Sequence, residues 1–117
     1  MKSLFLSGLF VLFSALFNTY NAQTKHTKSE IVKVSGNCSM CKATIEKAVG
    51  KENGAAGTWN TKTKLLSVSY DPLQTNLQAI LKQVAGAGYD NQLYKAPDSA
   101  YRSLPDCCQY ERNSSTK

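Results

Sequence analysis

Two cysteines separated by two residues, Cys38 and Cys41, are the side chains of this sequence best suited to chemistry. They lie between a strand-like run that ends near Ser35 and a helix-like run that begins near Lys42. Thiols at positions i and i+3 in a loop that opens a helix can converge on one atom. Because the first N–H groups of a helix lack partners and carry partial positive charge, they favour thiolate over thiol. The spacing therefore predicts a metal-binding or redox-active dithiol.

The number of ligands separates the candidate ions. Thiolates are soft ligands, and two of them complete a linear site for Cu(I) or Hg(II), whereas Zn(II) prefers four ligands. We therefore expect Cu(I) first, with Hg(II) or Zn(II) as alternatives. An incoming thiol can attack a two-coordinate ion through a three-coordinate intermediate, so the site is also suited to transfer.

A second pair of cysteines, Cys107 and Cys108, lies near the C-terminus. The pair adds ligands to the first two cysteines, or forms a disulfide with one of them, or binds a separate ion or acts in trans. Residues 95–106 can span about 40 Å when extended, which allows a return to the first pair. The sequence leaves these alternatives open.

The first 22 residues have the three-part pattern of a secretory signal: Lys2, an apolar run over residues 4–17, and polar residues leading to Ala22. The run is shorter than the roughly 20 residues of a membrane span. We expect residues 1–22 to be a cleaved signal peptide, residues 23–29 to be a flexible leader, and the protein to be periplasmic or secreted. An uncleaved anchor is the alternative. Export would place the cysteines in an oxidising compartment.

Charge and composition exclude several functions. The net charge is +6, but the basic residues are scattered, so we expect no nucleic-acid partner. The only histidine, His26, lies in the polar leader, and no catalytic triad, carboxylate pair or phosphate loop is visible. We therefore predict that the protein is not an enzyme. Its expected partners are the metal ion and a metal-transporting membrane protein or another metal-binding domain, met through a basic face around Lys42 and Lys47.

Apolar periodicity predicts alternating strands and helices. The strands are expected at residues 30–35, 55–60, 65–70 and 89–95, and the helices at residues 40–51 and 76–85. The order β-α-β-β-α-β is that of a ferredoxin-like α+β fold, in which two helices cover one face of a four-stranded antiparallel sheet as a two-layer sandwich. A short C-terminal extension, residues 96–117, follows, with a helix over residues 98–104 capped by Asp98.

A Cys-x-x-Cys loop between the first strand and helix of such a chain resembles the heavy-metal-associated (HMA) domain. That family includes copper chaperones, modules of copper-transporting ATPases and the periplasmic mercury-binding protein. The resemblance covers residues 30–95. It includes Gly54, Tyr70-Asp71 and the turn Gly86-Ala87-Gly88-Tyr89. It implies Cys38 and Cys41 as metal ligands, with Tyr89 beside the loop as a hydrogen-bond donor to sulfur or as a packed aromatic.

The loop departs from the family motif, commonly Gly-Met-x-Cys-x-x-Cys, because Ser35 and Gly36 occupy its first two positions. The absent Met, which packs inward in the family, bears on metal identity and loop rigidity more than on the fold. Met40 is interpreted as a loop residue rather than a ligand. Trp59 is expected to pack on the sheet or under the tail. Three tyrosines are expected to hold the tail against the domain: Tyr94, Tyr101 and Tyr110.

Two other functions stay open. A thiol–disulfide oxidoreductase would attack through Cys38 and resolve through Cys41, with the second cysteine pair as a relay. Against it, the loop lacks the Gly-Pro or Pro-His dipeptide of thioredoxin-like sites. A mercury(II)-scavenging protein would use the same site with a different physiology.

Overall fold

The computed structural model describes residues 26–112. The predicted signal peptide and residues 23–25 of the predicted leader lie outside the described residues. The elements are β1 (Lys28–Lys33), α1 (Ser39–Val49), β2 (Ala55–Trp59), β3 (Leu65–Tyr70), α2 (Leu77–Gly86), α3 (Asp98–Arg102) and a single 3-10 turn (Asp106–Cys108). None of the helices within residues 26–112 has the length and apolar character of a membrane-spanning segment.

The sheet has the strand order β1-β3-β2, with both neighbouring pairs antiparallel. The central strand β3 buries every second side chain: Leu66, Val68 and Tyr70. This period of two is what a sheet with one covered face requires. Helices α1 and α2 supply the covering layer, and their buried side chains recur at helical spacing. The predicted ferredoxin-like α+β sandwich is confirmed.

The predicted fourth strand, at residues 89–95, is not formed, and the described sheet has three strands. Within residues 89–95 the structure has a single antiparallel bridge, between Val34 and Asn91. It lies beside β1, where a fourth strand would lie. The Asn91 side-chain oxygen accepts hydrogen bonds from the N–H groups of Leu93 and Tyr94, at 3.1 and 3.0 Å. Because such local bonds compete with a strand ladder, the chain turns after one bridge.

Residues 96–112 of the C-terminal extension fold back over the end of the domain, and residues 113–117 lie outside the described residues. Helix α3 begins at Asp98, but that side chain makes no capping bond, contrary to the prediction. Its carboxylate instead accepts a hydrogen bond from Arg112 Nη1 at 2.9 Å. The 3-10 turn was not predicted, and it carries the second cysteine pair.

Tyr110 and Arg112 anchor the extension to the turn after α2. The Tyr110 hydroxyl accepts from Asp90 N at 2.7 Å and donates to Gly88 O at 2.8 Å. The Arg112 guanidinium donates to both carboxylate oxygens of Asp90, at 2.7 and 2.9 Å. Gly88 has φ +110, and a Cβ there would lie 2.9 Å from Ala100 O. The close approach of the extension therefore depends on a glycine at this position.

Candidate metal centre

The first two cysteines meet at the beginning of α1. Cys38 is the N-cap residue, in an extended conformation, and Cys41 is in the first turn. Their Sγ atoms are 3.7 Å apart. Cys38 is half-buried, whereas Cys41 is fully buried. One sulfur is therefore accessible to an incoming group, and the other anchors the site in the core.

The open end of α1 acidifies Cys38. The backbone N–H of Cys41, followed by that of Met40, stabilises the thiolate and lowers the pKa of the Cys38 thiol to about 7. The Cys38 side chain makes no capping hydrogen bond in the structure. The stabilisation therefore belongs to the charged form, as expected of N–H groups without partners at a helix N-terminus. A large fraction of Cys38 is nucleophilic thiolate at neutral pH.

The C-terminal extension adds a third sulfur. Cys108 lies at the end of the 3-10 turn and is fully buried. The Sγ atoms of Cys38, Cys41 and Cys108 all lie within 4.8 Å of one another. Burial, followed by the neighbouring Cys41 thiol, raises the pKa of Cys108 to about 12. All four cysteines are free thiols in the structure.

Cys107 stays outside this cluster. Its side chain is exposed, with Sγ 3.6 Å from Met40 Sδ and 3.9 Å from Cys108 Sγ. Its backbone carbonyl faces the loop, where it accepts a hydrogen bond from Asn37 Nδ2 at 3.3 Å and lies 3.8 Å from Cys38 Sγ. The two adjacent cysteines thus differ: one side chain points inward and the other outward.

Tyr89 lies beneath the cluster. It is fully buried, and among the described residues its hydroxyl has no hydrogen-bond partner. Burial first, and then the neighbouring Cys108 and Cys41 side chains, raise the pKa of Tyr89 well above its usual range. Its ring stacks on Tyr110 at a centroid distance of 6.1 Å. The phenol is therefore a neutral donor that faces sulfur.

Trp59 packs beside Gly36. A Cβ at Gly36 would lie 2.9 Å from two ring carbons of Trp59, Cζ2 and Cη2. The ring is fully buried, and its Nε1 donates to Val34 O at 3.0 Å. The indole therefore occupies the space into which a larger side chain at position 36 would project. The pairing of the sole tryptophan with a glycine at a usually bulky position was a signal that the sequence analysis did not use.

The charged residues near the loop are arranged differently from expectation. Lys42 pairs with Glu46 and donates to Trp59 O at 3.1 Å, so its charge is already engaged. Lys64 was not singled out from the sequence. Its Nζ donates to Asn37 O at 3.3 Å and lies 5.3 Å from the Trp59 ring centroid. It is thus a cation bonded to the cysteine loop.

Comparison with known proteins identifies the family. The family model described as "Heavy-metal-associated domain" matches residues 31–90, which is half of the chain. The chain belongs to this family. The HMA match is to a non-enzymatic metal-binding domain, and it confirms the prediction that the protein is not an enzyme.

Relatives of this HMA protein include a mercuric transport protein and a copper-exporting ATPase. The chain is 34% identical over 94 residues to the "Mercuric transport protein periplasmic component" of Shewanella putrefaciens, covering 80% of this chain and 98% of that protein. It is 31% identical over 65 residues to the "Copper-exporting P-type ATPase" of Staphylococcus saprophyticus, covering 55% of this chain but only 8% of the ATPase.

Solved structures similar to this chain include CopZ and MerP. The CopZ metallochaperone superposes with a TM-score of 0.53 and 27% identity, covering 55% of this chain and 98% of that one. Oxidized MerP from Ralstonia metallidurans CH34 superposes with a TM-score of 0.54 and 30% identity, covering 57% of this chain and 96% of that one. The fold and the metal-binding family are thereby shown, and the relatives include both copper and mercury proteins.

Proposed function

We propose that the protein binds one soft heavy-metal ion between Cys38 and Cys41 and carries, buffers or transfers it in the cell envelope, with Cu(I) as the preferred ion. The observation that carries this proposal is the approach of the two sulfurs to 3.7 Å at the open end of α1. Thiolates select soft ions, and the helix N-terminus stabilises them before the ion arrives.

Binding exchanges protons for metal. Each coordinating sulfur becomes a thiolate, so a thiol loses its proton to solvent as the metal–sulfur bond forms. With a pKa of about 7, the Cys38 thiol is partly deprotonated at neutral pH before the ion binds. Cys41, which is buried, binds as the inner ligand.

Release reverses these steps in the presence of a second thiol. A thiolate of the receiving protein attacks the ion, a three-coordinate intermediate forms, and Cys38 leaves and can take up a proton. A second thiolate of the receiver then displaces Cys41, which takes up a proton as its metal–sulfur bond breaks. Cys38 leaves first because it is the more exposed of the pair. The receiver is a metal-transporting membrane protein or another metal-binding domain, and the similarity to part of a P-type ATPase supports this class.

The lysine proposed to meet this receiver is not one of the two in the expected basic face, Lys42 and Lys47. Since Lys42 is paired with Glu46, the positive charge at the cysteine loop comes from Lys64, and the exposed Lys47 lies in the last turn of α1, at the other end of the helix from the cysteines. A receiver with an acidic rim would be steered toward Lys64, and this attraction would weaken as salt increases.

A place in the cell envelope follows from the predicted signal peptide over residues 1–22. Residues 23–29 are the proposed leader, residues 30–95 the proposed HMA domain, and residues 96–117 the proposed extension. The printed name of the Shewanella relative, a periplasmic component, supports this location.

Mercury(II) is the second candidate cargo. It is favoured by the similarity to the mercuric transport protein, which covers 98% of that relative's length. Competition between Cu(I) and Hg(II) measures the relative affinity of the protein for the two ions. The physiological cargo is identified by measuring which metal salt induces expression of the gene, and to which metal the gene confers tolerance. A thiol–disulfide activity is tested by insulin reduction, for which a carrier shows negligible turnover.

An anaerobic titration of the reduced protein with Cu(I), against a colorimetric Cu(I) chelator, tests the proposed function. We expect one ion per chain, and a loss of at least about 100-fold in affinity in C38S/C41S. The control is C107S, which removes an exposed sulfur outside the cluster and is expected to bind normally. Equal affinity in C38S/C41S and the wild type would contradict the proposal.

A further inference from the structure

We propose that Cys108 is a third metal ligand, so that the C-terminal extension completes a three-thiolate site with Cys38 and Cys41. This inference rests on the proposed function and deepens it. The site then suits soft ions that accept three sulfur ligands, namely Cu(I) and Hg(II). Cys107 does not bind the ion.

The distances between the sulfurs fit this geometry. For a metal–thiolate bond of about 2.3 Å, two sulfurs on opposite sides of an ion are about 4.6 Å apart, and three sulfurs around it are about 4.0 Å apart. The Cys38–Cys41 separation is 3.7 Å, and no pair within the trio is more than 4.8 Å apart. These separations bracket the trigonal value, so small side-chain rotations suffice for three bonds.

The buried Tyr89 hydroxyl is the second, independent observation. A buried polar group without a hydrogen bond is rare because its desolvation is not compensated. This hydroxyl is fully enclosed, makes no hydrogen bond of ordinary geometry within residues 26–112, and has the Cys108, Cys41 and Thr44 side chains as neighbours. A thiolate at either sulfur would accept a hydrogen bond from the Tyr89 hydroxyl. The orphaned donor is therefore explained once the cluster holds an ion.

The extension holds Cys108 in a fixed position. Gln109, which follows the 3-10 turn, donates from Nε2 to Leu104 O ahead of the turn at 3.1 Å and so closes it. On its C-terminal side, Tyr110 bonds to Gly88 O and Arg112 to Asp90. Such anchoring reduces the entropy lost when a ligand is recruited. A third sulfur held in this way adds to affinity and slows release.

The net charge of the three-thiolate site favours Hg(II) over Cu(I) in forming the bond to Cys108. Three thiolates leave a net charge of −2 around Cu(I) and −1 around Hg(II), and buried charge is costly. Forming the third bond releases the Cys108 proton to solvent, because a coordinating thiol is deprotonated. We therefore expect loss of Cys108 to weaken Hg(II) binding by a larger factor than Cu(I) binding.

X-ray absorption spectroscopy of the Cu(I)-loaded protein tests the ligand number. We expect three sulfur ligands in the wild type and in C107S, and two in C108S. The pair is a matched control because the two cysteines are neighbours in sequence and differ in the direction of their side chains. C108A is measured beside C108S, and circular dichroism of both verifies that each variant is folded.

The outcomes are distinct. Two sulfurs in the wild type, or three in a folded C108S or C108A, would overturn the third ligand and leave the proposed function standing. Loss of a ligand in C107S but not in C108S would also overturn it. No Cu(I) bound by any form would refute the proposed function itself. A chelator should remove Cu(I) at least about 10-fold faster from C108S than from C107S.

Discussion

Replacing Gly36 with alanine tests how the chain accommodates its unusual loop. The added Cβ would lie 2.9 Å from two carbons of the Trp59 ring and 3.4 Å from Ile45 Cδ1. The first distance is too short for carbon atoms in contact, so the ring or the loop has to move. The indole is fully buried and its Nε1 is bonded to Val34 O, so the ring cannot move without a cost.

The magnitude follows from two opposing effects. Overpacking of a tight core costs about 1–3 kcal/mol. Alanine in place of glycine restricts the unfolded chain and returns about 0.4–1 kcal/mol where the backbone conformation is compatible. Gly36 is not among the residues with positive φ, so alanine meets no backbone strain there. We therefore expect Gly36→Ala to lower the free energy of unfolding by about 1–2 kcal/mol.

Urea unfolding of the reduced, metal-free protein measures this change, and a double-mutant cycle assigns its cause. In a Trp59→Leu background the ring is gone, so Gly36→Ala is expected to be neutral or slightly stabilising, with a coupling energy of about 1–2 kcal/mol. Gly86→Ala is the matched control, because a Cβ there meets nothing within 4 Å. Overpacking against the indole is refuted as the cause if Gly36→Ala raises the free energy of unfolding as Gly86→Ala does. It is also refuted if Gly36→Ala lowers that free energy by the same amount in the Trp59→Leu background.

Two further predictions concern the reactivity of the site and the anchoring of the extension. In a variant that retains Cys38 as its only cysteine, the rate of alkylation by iodoacetamide should rise with pH around a midpoint near 7, because the backbone N–H groups of Cys41 and Met40 are the largest cause of the lowered pKa. A midpoint near 9.0, the ordinary pKa of a cysteine thiol, would contradict this. Arg112→Ala should lower the free energy of unfolding by about 2–3 kcal/mol, since it leaves the Asp90 carboxylate without its charged donor. It should also speed removal of Cu(I) by a chelator, whereas Arg102→Ala, at an exposed position of α3, should change neither quantity.

The strongly periodic elements were predictable because burial alone determines them. The strand at residues 65–70 was predicted with its exact bounds, and both long helices within about two residues at each end. The fourth strand was not predictable from its apolar content, because a single side chain, Asn91, satisfies the backbone groups that a ladder would have used. Local hydrogen bonding there outweighed the pattern.

The cysteine loop was predictable from spacing, but the third sulfur was not. The length of the connection allowed Cys107 and Cys108 to reach the site without selecting either one. The choice depends on a 3-10 turn that directs one side chain inward and the other outward. That direction is set by contacts between the extension and Gly88, Asp90 and Tyr89, which are distant in sequence from the turn. The sequence does not distinguish the two adjacent cysteines, although Cys107 is exposed and Cys108 is buried in the structure.

Native mass spectrometry of the C107S/C108S variant, reduced and incubated with one equivalent of Cu(I) under anaerobic conditions, tests the central claim most directly. With Cys38 and Cys41 as the only remaining thiols, the account predicts a dominant species that carries one copper ion per chain. The C38S/C41S variant, incubated in the same way, should remain metal-free or lose its copper to a competing chelator. A C107S/C108S protein that stays metal-free while C38S/C41S retains one copper ion would contradict the account.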